Sequence, residues 1–183
     1  MNQQLRAMAR RHADHAKRRT VHRVGEEARA YDGDGEVNLP GYSGSLTAFG
    51  VAVVGLVVAG RATGEGLPER YRLADIALGG LATHKFTRLL SKGSVTSPIR
   101  APFTEFEEPA GSAEHNESPR GRGLRRTVGE LVTCPFCLGQ WVGTGYVAGL
   151  AVAPRAARTW AAVFAVTGVS DALQHLYARL RDE

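Results

Sequence analysis

Two stretches of this chain carry no charged side chain at all, Val37 to Gly60 and Leu131 to Pro154, while the segments around them are crowded with charge. A helix needs about 20 predominantly apolar residues to cross the hydrocarbon core of a bilayer, so each stretch predicts a membrane span, one over 42–60 and one at about 134–153. A further candidate over 73–90 has only the short apolar core Ile76 to Thr83, with Asp75 before it and His84, Lys85 and Arg88 after it. Long basic side chains near a helix end reach the headgroups, so this segment either crosses or lies flat in the interface. A last apolar run, at about 159–178, is interrupted by Asp171 and His175. The pattern predicts an all-α fold, an integral membrane helical bundle with three to four transmembrane helices.

The connections are polar. Residues 1–41 form a basic arm bearing Arg6, Arg10, Arg11, Lys17, Arg18, Arg19, Arg23 and Arg29. We read it as solvated and partly disordered, with a basic surface helix as the alternative. Asp32-Gly33-Asp34-Gly35 and Pro40-Gly41 are turn chemistry leading into the first span. A membrane domain then covers 73–178, with a polar loop at about 91–130 that passes from Glu105-Phe106-Glu107-Glu108 to Arg120-Gly121-Arg122-Gly123-Leu124-Arg125-Arg126. Its composition reads as a loop with a disordered middle. With four crossings, 18 of the 23 Lys and Arg residues fall on the side of the arm, the loop and the C-terminus. By the positive-inside rule that side is the cytoplasm, which gives a multi-pass cell-membrane protein with both termini cytoplasmic.

Composition changes this picture little. The mean hydropathy of −0.20 averages apolar spans with polar connections. A net charge of +5 would suit nucleic acid, but the basic residues stand in blocks beside apolar spans with few aromatics between them, which argues for the lipid bilayer as the partner. No apolar core with a small-residue cleavage site follows the arm directly, so the N-terminus reads as retained. Two cysteines three apart make no disulfide framework, and a cytoplasmic position would keep them reduced.

Candidate chemistry gathers at Cys134-Pro135-Phe136-Cys137. Proline favours the first helical position, so Cys134 caps the third span and Cys137 falls in its first turn, where the positive helix end stabilises thiolates. No cofactor follows from this with certainty. The pair, with His84 or His175, could hold zinc; it could exchange disulfides; or it could simply pack at a helix entry. Asp171 inside a span suggests a buried pair with Arg88 or His175, or, more weakly, a small transporter. Trp141 reads as an interfacial anchor. Gly139, Gly143, Gly145 and Gly149 form interleaved small-xxx-small pairs, a face for close helix packing and for a homo-oligomer.

Thr87-Arg88-Leu89-Leu90, then Thr96-Ser97-Pro98-Ile99-Arg100-Ala101-Pro102-Phe103, and above all Glu130-Leu131-Val132-Thr133-Cys134-Pro135-Phe136-Cys137-Leu138-Gly139-Gln140-Trp141 form a pattern. It resembles the small bacterial membrane proteins grouped as domain of unknown function 1360. The resemblance covers about Leu73 to Tyr177 and implies an integral membrane protein without an established activity. It also implies that Arg88, Arg100, Cys134, Cys137 and Trp141 act as a unit, with Arg100 reaching headgroups or Asp171. The expected role is a non-enzymatic membrane or envelope-associated component. The alternatives are a cytoplasmic-face Cys-x-x-Cys metal or thiol-redox protein and, more weakly, a transporter.

Overall fold

The computed structural model describes residues 2–32, 37–62, 64 and 70–181. The expected turn at Gly33, Asp34 and Gly35 lies outside them, as do the side chains of Arg6, Arg10, Arg11, Lys17 and Arg18. The chain divides into two compact units, Met1–Tyr42 and Ser43–Glu183.

The first unit is built on α1, Asn2–Tyr31, and includes the start of α2, Leu39–Ala62. The Asp32 carboxylate accepts the Val37 amide at 3.1 Å, and the Asn38 side chain accepts the Gly41 amide at 3.2 Å. The second bond satisfies one of the amides that a helix start leaves without an internal partner, which is why α2 begins where it does.

In the second unit follow α3, Leu73–Lys92, a turn of 3-10 helix at Ser94–Thr96, the short α4, Ser97–Arg100, and the strands β1, Thr104–Gly111, and β2, Glu114–Pro119. Three helices close the chain: α5, Leu124–Thr133, α6, Pro135–Val152, and α7, Pro154–Arg181. Proline opens both α6 and α7, a position where its missing N–H would have had no partner.

The core lies where α3, α6 and α7 meet. Ala82, Tyr146, Leu150 and Ala161 are buried there, and Leu78, Ala157, Trp160 and Phe164 pack against them. Gly79 lets α3 and α6 come this close, because a Cβ at that position would stand 2.2 Å from the Tyr146 ring. Phe86 meets Trp160 and Phe164 edge to face, with ring centroids at 5.3 and 4.7 Å. Polar ties fix the ends of the packing. Arg158 of α7 donates to both oxygens of Asp75 in α3 at 2.8 and 2.9 Å, and the Tyr146 hydroxyl donates to the Asp75 carbonyl at 3.0 Å. The Arg158 guanidinium holds the Asp75 carboxyl below its ordinary value. Lys85 of α3 pairs with Asp171 of α7.

This architecture corrects the expected fold class. The described chain is mostly helical but carries a two-stranded antiparallel sheet, so it is not all-α. Among the described residues only α2 is long and apolar enough to cross a membrane, with a mean hydropathy of 1.8 and none of the most apolar window buried, and a bundle of three to four spans is not supported. The reason is visible in the helices expected as further spans. The charged residues Asp75 and Lys85 of α3 pair with Arg158 and Asp171 of α7, and α6 is interrupted by glycine, threonine and glutamine. The polar loop expected at about 91–130 holds the 3-10 turn, α4 and most of α5, and its middle, expected to be disordered, is the hairpin β1–β2.

Candidate functional site

The hairpin turns on Ser112 and Ala113, between the paired residues Gly111 and Glu114. Both central residues have positive φ, 47° and 59°, as the tight I′ hairpin turn requires, although neither is glycine. Their conformation is held from outside: the Ser94 amide donates to the Ala113 carbonyl at 2.9 Å, and the Ser94 hydroxyl donates to the same oxygen. β1 is the outer strand and accommodates Pro109 there. β2 is covered by α5, where Gly129 brings the helix against Phe103 and Pro119, so that an added Cβ would lie 2.6 Å from the Phe103 carbonyl oxygen.

At the root of the hairpin sits Arg100, 1% exposed. Its Nε and Nη2 donate to the two carboxylate oxygens of Glu117 at 2.9 and 2.6 Å. Nη1 donates to the carbonyls of Leu90 and Gly93 at 2.8 and 3.0 Å and to the Thr96 hydroxyl at 2.7 Å, and Nη2 also reaches the Ser97 hydroxyl at 3.2 Å. Thr104 closes the far side, its hydroxyl donating to Glu117 at 2.8 Å. Every donor of the planar guanidinium therefore ends on an acceptor of the fold, the condition under which a buried charge is tolerated. Burial by itself pushes the Glu117 carboxyl up, but the bonds from Arg100, Thr104 and Ser97 outweigh it and hold the group below its ordinary value. On the outside, Arg88 grips Glu114 through two bonds of 2.7 Å. The two arginines thus fasten one hairpin to the end of α3 from two sides.

A second feature is the corner between α5 and α6. Cys134 is the N-cap of α6, its sulfur accepting the Cys137 amide at 3.1 Å, with Pro135 at the first helical position. The expected capping geometry is present. The expected reduced state is not, since Cys134 and Cys137 are joined in a disulfide whose Cα atoms stand 5.2 Å apart. Cys134 is half-buried, Cys137 is exposed, and the Phe136 ring between them is 87% exposed.

The remaining expected residues are placed elsewhere. His84 and His175 are exposed, and no three His, Cys, Asp or Glu side chains gather as a metal-holding group among the described residues. Two sulfurs bonded to each other do not fit a zinc site, which needs four deprotonated ligands. Asp171 takes Lys85, not Arg88 or His175, and Arg100 takes Glu117, not Asp171. Trp141 stacks edge to face on Phe49 of α2 at 5.2 Å. A Cβ on Gly139, Gly143 or Gly145 would meet nothing within 4 Å, while one on Gly149 would lie 3.3 Å from Ala157. Gly145 and Gly149 line an open apolar groove of about 430 Å³ between α6 and α7, with Phe86, Tyr146 and Trp160.

Sequence reasoning missed the carboxylates that complete the clamp, Glu114 and Glu117, and the partners Lys85 and Arg158. Arg158 was findable: it is one of two cations near the start of α7, opposite a lone Asp75 at the start of α3.

Residues 78–177 match the family model described as "Protein of unknown function (DUF1360)". A Bacillus subtilis (strain 168) protein named "Sporulation protein YjcA" is 30% identical over 111 residues, which span 59% of this chain and 94% of that protein. No solved structure matches the chain.

Proposed function

We propose, for a chain that belongs to the DUF1360 family of proteins of unknown function, a non-enzymatic role as a membrane-anchored, envelope-associated component. The observation that carries this reading is α2: 24 residues of mean hydropathy 1.8, with no buried residue. At 1.5 Å per residue it extends about 36 Å, enough for a hydrocarbon core of about 30 Å. Leaving such a surface in water is costly, and a lipid bilayer is the partner that removes it. The second support is the hairpin, a polar segment that the buried Arg100–Glu117 pair and the Leu90 and Gly93 carbonyls fasten to the end of α3. The third is the relative's printed name, which assigns that protein to sporulation, a process that we extend to this chain only as part of the proposal.

The test is fractionation of the full-length protein in bacterial cells. It is expected to stay in the membrane pellet through a high-salt wash and an alkaline carbonate wash. Val54→Arg combined with Gly55→Arg, in the middle of α2, is expected to move the protein into the supernatant while its helical signal persists. Full-length protein that remains in the supernatant from the start, or a double variant that stays as firmly bound as the parent, overturns the anchor.

A further inference from the structure

The corner between α5 and α6 has a property that neither the anchor nor the hairpin uses. We propose that Cys134 and Cys137 form a reversible dithiol–disulfide couple that exchanges with a partner dithiol through the exposed Cys137 sulfur. The inference stands apart from membrane anchoring, since it rests on residues of the corner alone.

The geometry distinguishes the two sulfurs. Cys137 is exposed, so an incoming thiolate reaches it, whereas Cys134 is half-buried against the end of α5. Cys134 is also the better leaving group. Its sulfur already accepts the Cys137 amide at the start of α6, and a helix N-terminus favours the thiolate that departure creates. A leaving thiol stabilised in this way speeds exchange. Phe136, between the cysteines, is 87% exposed, so most of its ring is open to an incoming molecule. An exposed ring beside the attackable sulfur is a contact for the partner that brings the thiolate.

The step balances. A partner thiolate attacks Cys137 Sγ, the sulfur–sulfur bond to Cys134 breaks, and Cys134 leaves as a thiolate, producing a mixed disulfide on Cys137. The partner's second thiol, deprotonated, then attacks its own sulfur in that mixed disulfide and releases Cys137 as a thiolate. The partner dithiol has lost two electrons and two protons and become a disulfide, and Cys134 and Cys137 have gained both. Return to the disulfide requires a second partner that is itself a disulfide and runs the same steps in reverse.

The experiment equilibrates full-length protein in detergent with graded ratios of reduced to oxidised dithiothreitol, quenches in acid, and counts thiols with a polymer-linked maleimide. One transition from zero to two labels is expected, reversible on reoxidation, with the far-ultraviolet dichroism unchanged throughout. In a second measurement the oxidised protein is treated briefly with reduced glutathione, quenched in acid, and the mixed disulfide is located by peptide mass mapping. The adduct is expected on Cys137 in about tenfold excess over Cys134, because the incoming thiolate reaches the exposed sulfur and Cys134 departs as the stabilised thiolate. A bond that survives full reducing conditions in the folded protein overturns the couple. So does a reduction that destroys helical signal irreversibly, which would make the bond purely structural, and a mixed disulfide carried mainly on Cys134 overturns the role given to Cys137.

Discussion

Arg100 and Arg88 hold the same hairpin by opposite physics. Arg100 is buried with Glu117, both side chains at most 5% exposed, so removing either partner strands a charge away from water. Arg88 is half exposed, and its pair with Glu114 competes with solvent. Arg100→Ala is therefore expected to destabilise the hairpin by about 3–5 kcal/mol, and Arg88→Ala by about 1 kcal/mol or less. Arg100→Lys should not rescue the loss, because an ammonium cannot reproduce a planar fork that meets a carboxylate and several carbonyls together. Limited proteolysis around Ser112 reads the difference directly: fast cleavage in Arg100→Ala and Arg100→Lys, near-parental cleavage in Arg88→Ala. Equal rates in all three would show that the buried pair does not govern the hairpin.

Glu117 also sets a pH dependence with a definite sign. Its carboxyl is held lower in the folded chain than the ordinary value of 4.5. The unfolded chain thus takes up its proton first as acid is added, and the stabilisation is complete above that value and lost as pH falls through the lower, folded one. Amide-exchange protection of β2, corrected for intrinsic rates, is expected to be level above about pH 5 and to decline below about pH 4. Glu117→Gln should lower the plateau and flatten the decline. A decline that persists unchanged in the variant would assign it to another group.

At the scale of elements, a few close approaches decide the packing. Gly79 and Tyr146 are in van der Waals range only because Gly79 has no side chain, so Gly79→Ala forces the ring or the helix to move. Such overpacking costs about 1–3 kcal/mol, and a thermal midpoint lowered accordingly, with Gly80→Ala as a control that meets nothing within 4 Å, would confirm it. Parental stability in Gly79→Ala would mean that α3 and α6 tolerate separation. Part of the helical content was legible: the uncharged runs and Pro135 located α2 and α6, whereas α7 begins at Pro154, inside the residues expected as a connection before a span at 159, and α5 lies mostly in the segment expected as a polar loop. The hairpin was not. Its turn, Ser112-Ala113, lacks the Asn-Gly or Asp-Gly pair that ordinarily announces a I′ turn, and its conformation is imposed by Ser94, which is distant in sequence. Its strands are mostly polar, with Phe106 their one large apolar side chain, so no alternation of apolar residues marks them.

For the whole molecule, the same blindness to distance explains the mistaken membrane bundle. Counting apolar residues along the chain treats Asp75, Lys85 and Asp171 as isolated flaws in spans and Arg158 as part of a connection. Folding pairs them between α3 and α7, and the pairing is a property of the assembled structure. Arg100 was legible as important from its surroundings, through the resemblance carried by Pro98 and Arg100, but its partner was sought in Asp171 because Glu117 lay in a segment read as disordered. The cysteine corner was legible as a capped helix start; its oxidation state was inferred from an assumed compartment and not from the residues.

The two kinds of ion pair also differ in when they can form. Every partner of the Arg100 side chain lies between Leu90 and Glu117, whereas Asp75 must wait for Arg158. During synthesis, at about 5–20 residues per second, the hairpin's latch is complete in the emerging chain well before α6 and α7 exist to close the core. The polar head is thus able to assemble on the nascent chain from local contacts, and the loop closure that is entropically expensive is left to the last helix.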